Sequence, residues 1–294
     1  MRRFSVLFRL CLAIALAFIP QLAAAQSSWD SVDQALGRPG TTQPDGVRRY
    51  SFPRSDLQVQ LDGVAIKPAL ALGSWIAFQP NGHSAVVMGD LVLTADEVTP
   101  VMSALLDGGI QVTALHNHLL RSTPATFYMH VRGEGDAARL AASIHAALAR
   151  SHTPLGAPTP AAPGNVDLNA ATIDRIMGRA GKPNGAVYQF TVPRAEKIVE
   201  GGMAVPASMG TGTAINFQPT GGGRAAVTGD FVLLGTEVDP VMRALRSARI
   251  EITALHSHML GESPRLYFMH FWGVGDAERL ATGLRTALNR MNVR

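Results

Sequence analysis

Two stretches 140 positions apart carry the same set of imidazoles. Residues 110–130 read IQVTALHNHLLRSTPATFYMH and residues 250–270 read IEITALHSHMLGESPRLYFMH. His116, His118 and His130 therefore recur as His256, His258 and His270. In a strand, alternate side chains share a face, so each His-x-His presents both rings on one side. The spacing predicts a row of Ile110, Val112, Ala114, His116 and His118, a core-facing apolar row that turns into two imidazoles. If 110–118 and 125–132 form a hairpin centred on Thr123 or Pro124, His130 falls opposite His116 or His118, about 5 Å away at Cβ. The same arithmetic brings His270 to its partners about Ser263 or Pro264. Three converging imidazoles suit a divalent transition metal, zinc first, with copper or iron also compatible.

The expected chemistry is activation of a metal-bound water, with Glu97 or Glu237 as further ligand or general base. Asp90 and Asp230, in the Gly-Asp steps of a preceding strand, are placed to orient a histidine from behind. Met129 and Met269 alternate to the opposite face and are expected in the core. His83, His145 and His152 have no counterpart in the other stretch and are expected at the surface. No Gly-x-Ser-x-Gly, His-Glu-x-x-His or phosphate-loop pattern occurs. The Gly-x-Gly-Asp steps ending at Asp136 and Asp276 predict a tight turn with an aspartate helix cap, since a carboxylate there repels an anion.

The elements that must position these residues repeat as well. MGDLVLTADEVTPVMSALL (88–106) matches TGDFVLLGTEVDPVMRALR (228–246), and over 110–136 against 250–276 the identity is 13 of 27. The domain boundaries follow: copy one at 27–150, a Pro/Ala-rich linker at 151–165, copy two at 166–294. Each copy predicts a first helix (29–36, 169–177) ended by Gly37 or Gly178. Strands follow at 47–53, 57–66, 75–79 and 84–93, then a helix opened by Thr99-Pro100 or Asp239-Pro240, the hairpin, and a last amphipathic helix. The fold class is α+β, two tandem copies of a mostly antiparallel sheet domain with two or three helices each.

Residues 1–25 have a basic start, an apolar stretch and a small-residue cleavage site, which predicts a secretory signal peptide and a periplasmic or secreted protein with no membrane span after cleavage. The single cysteine, Cys11, lies within that segment, so disulfides and thiolate ligands are not expected. Removing Arg2, Arg3 and Arg9 from 26 basic residues leaves 23 against 22 acidic ones. Near-neutral charge gives no electrostatic footprint for nucleic acid.

At TALHNHLL, TALHSHML and RLYFMHFWGVGDAERLA the chain resembles the LppY/LpqO family, an exported bacterial domain of unknown function, in two tandem copies. The resemblance implies an exported protein with a duplicated domain and supplies no reaction. Two readings follow: a metal-binding protein, in its catalytic form a metal-dependent hydrolase, or a non-enzymatic module. The module would hold a small molecule or cell-envelope component among the histidines, Tyr128, Phe268 and Trp272. The copies can also pack face to face around a shared site. Copy one has Arg132 and Glu134 where copy two has Trp272 and Val274, so the two sites need not be alike.

Overall fold

A computed structural model describes residues 29–157 and 166–294. The expected signal peptide at 1–25, and positions 158–165 of the expected linker, lie outside the described residues. In the first copy the order is α1 (29–36), β1 (Thr41–Thr42), β2 (Arg48–Pro53), β3 (Gln60–Leu61), β4 (Val64–Ala65), α2 (Pro68–Ala71), β5 (Gly73–Asn81), β6 (Ser84–Leu93), α3 (Ala95–Asp107), β7 (Gln111–His116), β8 (Phe127–Gly135) and α4 (Ala137–Leu148). The second copy repeats it as α5 (Ala170–Met177), β9 (Lys182–Asn184), β10 (Val187–Pro193), β11 (Val199–Glu200), β12 (Met203–Ala204), a 3-10 turn (Ala207–Met209), β13 (Gly212–Gly221), β14 (Arg224–Leu234), α6 (Gly235–Ser247), β15 (Glu251–His256), β16 (Leu266–Asp276) and α7 (Ala277–Leu288). Each copy builds one six-stranded antiparallel sheet, β1-β2-β5-β6-β8-β7 and β15-β16-β14-β13-β10-β9. No described helix is long and apolar enough to cross a membrane.

The sequence of β6 shows why the copies must stack. Its residues SAVVMGDLVL are buried at both parities. One parity (Val87, Leu91, Leu93) packs with Leu36, Val101, Leu105, Leu140 and Ile144 under the helices. The other parity (Val86, Met88) joins Val205, Met209, Met259 and Phe268 of the second copy. A strand buried on both faces needs a layer on each side. Helices supply one layer, and the other copy's sheet supplies the other.

Each copy also reaches over its neighbour's sheet. The backbone around α2 is held by second-copy amides: Gln218 Nε2 donates to Ala65 O, Gln189 Nε2 to Ala69 O and Asn216 Nδ2 to Leu70 O. In return, Arg49 Nη1 donates to Ser208 O of the 3-10 turn at 2.5 Å.

The helix caps at Gly37 (φ 69°) and Gly178 (φ 72°) match expectation, as do the Asp136 and Asp276 caps, which accept from Arg139 N and Arg279 N. Two expectations are corrected. The stretch 57–66 is not one strand, because Asp62 and Gly63 take positive φ and fold it into the β3–β4 hairpin. The helix expected to open at Thr99-Pro100 begins at Ala95, with Pro100 inside it. The Thr94 backbone N–H is taken by Glu97 Oε2, which fixes the earlier start.

Candidate metal centre

The histidines arrive by a register the even alternation of the strand hides. β7 pairs β8 through Val112↔Val131, Ala114↔His130 and His116↔Tyr128, with a bulge between Val112 and Ala114. β15 and β16 repeat this with Ala254↔His270 and His256↔Phe268. His130 therefore stands opposite Ala114, not His116 or His118, and His118 lies beyond the strand end. The expected apolar row is also broken. Ile110 and Val112 pack under the helices, and the extra residue reverses the alternation so that Ala114 and His116 face the other copy. That extra residue is Thr113, whose Oγ1 donates to His258 O at 2.7 Å. Thr253 Oγ1 donates to His118 O at 2.6 Å. Each bulge thus holds the other copy's His-x-His loop.

The two triads meet as one cluster. Three ring pairs, each taking one imidazole from either copy, stand at centroid separations of 3.6 Å: His116 with His256, His118 with His270, His130 with His258. Within each copy the rings approach through their Nε2 atoms, His118 to His116 at 3.1 Å and His258 to His256 at 2.8 Å. Two sets of ligand atoms lie within 4.8 Å of one another: His116, His118 and His130, and His116, His256, His258 and His270. His116 belongs to both. Tyr128 stacks on His118 and Phe268 on His258, at 3.3 and 3.5 Å. Trp272 lies apart, donating to Asp62 at 3.0 Å.

Asp90 and Asp230 flank the site without belonging to either converging set. Asp90 pairs across the sheet with His130, and Asp230 with His270. Asp90 oxygens lie 3.8 Å from His130 Nε2 and 4.0 Å from His118 Nε2. Asp230 lies 3.7 Å from His258 Nε2 and 3.9 Å from His270 Nδ1, which itself meets Gly229 O at 2.9 Å. Those carboxylate separations exceed a hydrogen bond. Two atoms that each bind one ion at about 2.1 Å stand 3 to 4.2 Å apart. That is the spacing of Asp90 from His130 and His118 Nε2 and of Asp230 from His258 Nε2. His270 Nδ1 donates to Gly229 O and leaves its Nε2 as the ligand atom. Among the described residues, six buried polar atoms here have no protein partner: Asp90 Oδ1, Asp230 Oδ1, His116 Nδ1, His256 Nδ1, His130 Nε2 and His270 Nε2.

Burial also sets the protonation. It pushes Asp90 up to about 7 against the pull of Arg49, and pushes Asp230 well up, aided by the charge of Asp90. Burial lowers His130 to about 3 and His256 to about 4. Burial and the neighbouring imidazoles lower His116, His118, His258 and His270 as well. All six rings are neutral at pH 7, the form in which imidazole is a ligand.

Glu97 and Glu237, expected as ligand or base, are absent from both converging sets among the described residues. Each sits near the start of α3 or α6, bound to a buried arginine: Arg54 donates to Glu97 at 2.7 and 3.1 Å, Arg194 to Glu237 at 2.7 and 3.0 Å. The cue that places them there is the Pro-Arg step of each copy, whose guanidinium needs a buried carboxylate. Met129 and Met269 lie in the helix-side cores, as expected. His83 and His152 are exposed, while His145 is half-buried.

Between the sheets a cleft of about 880 Å³ reaches the centre, with Asp90, His118, His130, Asp230, His258 and His270 in its lining. Arg49, stacked on Trp75 at 4.1 Å, stands in its wall.

Among solved structures, the chain is similar to a trimeric bacterial microcompartment shell protein, PduB, at 15% identity over 85% of this chain and 90% of that one, with a TM-score of 0.21. It is similar to EtuB from Clostridium kluyveri at 10% identity, with the same coverages and a TM-score of 0.20. Scores this low carry no argument about fold or function. No curated protein matches the sequence. The family described as Domain of Unknown Function (DUF1259) matches residues 30–150 and again 171–290, most of the chain, each match holding one histidine triad. The chain belongs to that family, in two tandem copies.

Proposed function

We propose that this is an exported protein of the LppY/LpqO kind whose two copies share one metal centre, with zinc as the first expectation and copper or iron as alternatives. One observation carries the reading: ligand nitrogens of His116, His118 and His130, and of His116, His256, His258 and His270, converge within 4.8 Å in two sets that share His116. Leaving a buried polar group unsatisfied costs about 1–3 kcal/mol, so the unpartnered His130 Nε2 and His270 Nε2 add support for a guest at the centre, an ion or a water. An ion that accepts imidazole lone pairs, among them those of His130 Nε2 and His270 Nε2, would supply a partner there. The centre spans both copies, and His116 contributes to either set.

The chemistry that fits is hydrolysis. A bound ion with an open position activates water. Asp90 and Asp230, beside the imidazoles, are placed to accept its proton, the role the sequence assigned to Glu97 and Glu237. The cleft delivers a small molecule or cell-envelope fragment to this point, with Arg49 holding a negative group.

Elemental analysis of tag-free protein tests the metal reading. Near-stoichiometric metal in the wild type, lost in the H116A/H256A double variant with folding retained, supports it; none in either sinks it. The second reading, a non-enzymatic module, draws on the size of the cleft. Ligand binding that is indifferent to chelator would favour it, and turnover that chelator abolishes would exclude it.

A further inference from the structure

His116 holds a place in the centre that its counterpart does not. Its ring centroid stands 3.6 Å from that of His256, 5.0 Å from His118, 5.1 Å from His130, 5.4 Å from His270 and 5.5 Å from His258. It therefore meets all five other imidazoles. The imidazoles that meet His256 are His116, His258 at 4.8 Å and His270 at 4.9 Å. The converging ligand sets carry the same asymmetry. His116 completes its own triad with His118 and His130, and it is also the fourth member of the set with His256, His258 and His270. His256 enters that second set alone.

One imidazole cannot serve both sets at once. A neutral ring carries one N–H and one lone pair, so it ligates one ion. The centre therefore has two arrangements. With one ion in the four-imidazole set, His116 completes a four-coordinate site drawn from both copies. His118 and His130 are then left beside Asp90, whose oxygens stand 4.0 and 3.8 Å from their Nε2 atoms. With two ions, His116 returns to His118 and His130, and each ion keeps three imidazoles. Four protein ligands make a closed zinc site, whereas three leave a position for water or substrate. The large cleft is walled by His118, His130, His258 and His270, two rings of either triad, so both triads are reached from it.

We infer that the first ion binds His116, His256, His258 and His270 as a closed site, and that a second ion, entering at His118 and His130, takes His116 with it and opens the centre. The inference rests on the metal reading and adds an order of loading to it: one ion gives a resting form, two give the form that activates water. The ion is one that accepts four imidazoles, zinc first. The second binds more weakly than the first, because it removes a ligand from an occupied site and meets the charge of the ion already there. A ligand from the first copy thus governs the affinity of the second copy's triad.

The test uses the full chain, stripped of metal and titrated with zinc(II) alone. In wild-type protein carrying ¹⁵N-labelled histidine, a ring nitrogen that binds zinc shifts far more than one that lies nearby. The first equivalent should shift His116, His256, His258 and His270 and leave His118 and His130; the second should shift His118 and His130. Competition with a coloured chelator should resolve the same two steps. H116F keeps an aromatic ring against His256 but has no lone pair. It should weaken the first step by more than about 100-fold, beyond what changes behind the ligands usually produce, and abolish the second. H118F should hold the first step within about tenfold of wild type and lose the second. A first equivalent that shifts His118 and His130 together with His116, or that leaves His116 in place, overturns the order of loading while the metal reading stands. So does uptake that stops at one equivalent, or a folded H116F with a smaller loss. The wild-type spectra alone decide the order if H116F does not fold. Wild-type protein that takes up no zinc overturns both.

Discussion

Replacing Glu97 by Gln separates a structural carboxylate from a catalytic one. Its two oxygens take bonds from Arg54 Nη1 at 2.7 Å, Arg54 Nη2 at 3.1 Å, Thr94 N at 2.9 Å and His152 N at 2.7 Å. The Arg54 side chain is 0% exposed and Glu97 2%. Arg54 keeps Asp56 at 2.8 Å and Val92 O at 2.7 Å after the change, so its charge is weakened in support, not abandoned. Removing one partner of a buried pair costs about 3–5 kcal/mol. Glutamine retains one acceptor oxygen, so the low end applies, about 3 kcal/mol, or a fall of roughly 6–12 °C in Tm for a chain of this size. The pH dependence has a fixed sign. Burial pushes the Glu97 carboxyl up, but the bonds and charge of Arg54 with the His152 and Thr94 N–H groups outweigh it and hold the group at about 2 instead of 4.5. A depressed folded pKa gives stability that is full above 4.5 and lost as pH falls through 2. Urea midpoints of wild type and E97Q should therefore differ by a constant amount from pH 7 to 5 and converge below 4.5. Metal content should not change. A loss of metal or turnover with stability within about 0.5 kcal/mol of wild type would refute this placement and return Glu97 to the site.

Two further outcomes follow from the interface. In a T113V/T253V variant each bulge loses a hydroxyl bond to the other copy's histidine loop, at about 1 kcal/mol apiece, and metal affinity should fall about 10–100-fold while the isolated sheets remain intact; unchanged affinity by competition with a coloured chelator would deny the bulges their role. Stripping the metal should lower stability by about 2.7 kcal/mol relative to protein held at a hundredfold excess of ion over Kd, and a Tm indifferent to chelator would show that the histidines are satisfied without an ion.

What could be read from the chain depended on whether the cue was local. The helix ends at Gly37, Gly178, Asp136 and Asp276 needed only a backbone angle or a cap, so a short stretch of sequence sufficed. The triads were visible because His-x-His and Met-His recur at one offset. Their register was not, because a bulge adds a residue without changing composition: Val112, Thr113 and Ala114 look like three steps of an even alternation. Glu97 was misplaced for a similar reason. Its partner Arg54 lies 43 positions away, and an acid before a helix looks alike whether it caps, catalyses or binds an arginine.

The strand SAVVMGDLVL held more than its alternation suggested. A strand apolar at both parities is buried on both faces, and Asp90 sits in the parity that meets the second copy. An unpaired carboxylate in such a row is tolerated only where something compensates it. The compensation comes from imidazoles 26 and 28 residues downstream and 40 residues downstream on the neighbouring strand, and only the antiparallel pairing of β6 with β8 brings the last of these alongside. Duplication then does what a single copy cannot. Each triad alone leaves one side of its rings open, and the second copy closes that side with three imidazoles of its own, at 3.6 Å across each pair. The joined centre does not have to be symmetric. Met88 of one copy stands where the other has Thr228, and Met259 where the other has Leu119, so the two copies surround the six imidazoles with different side chains.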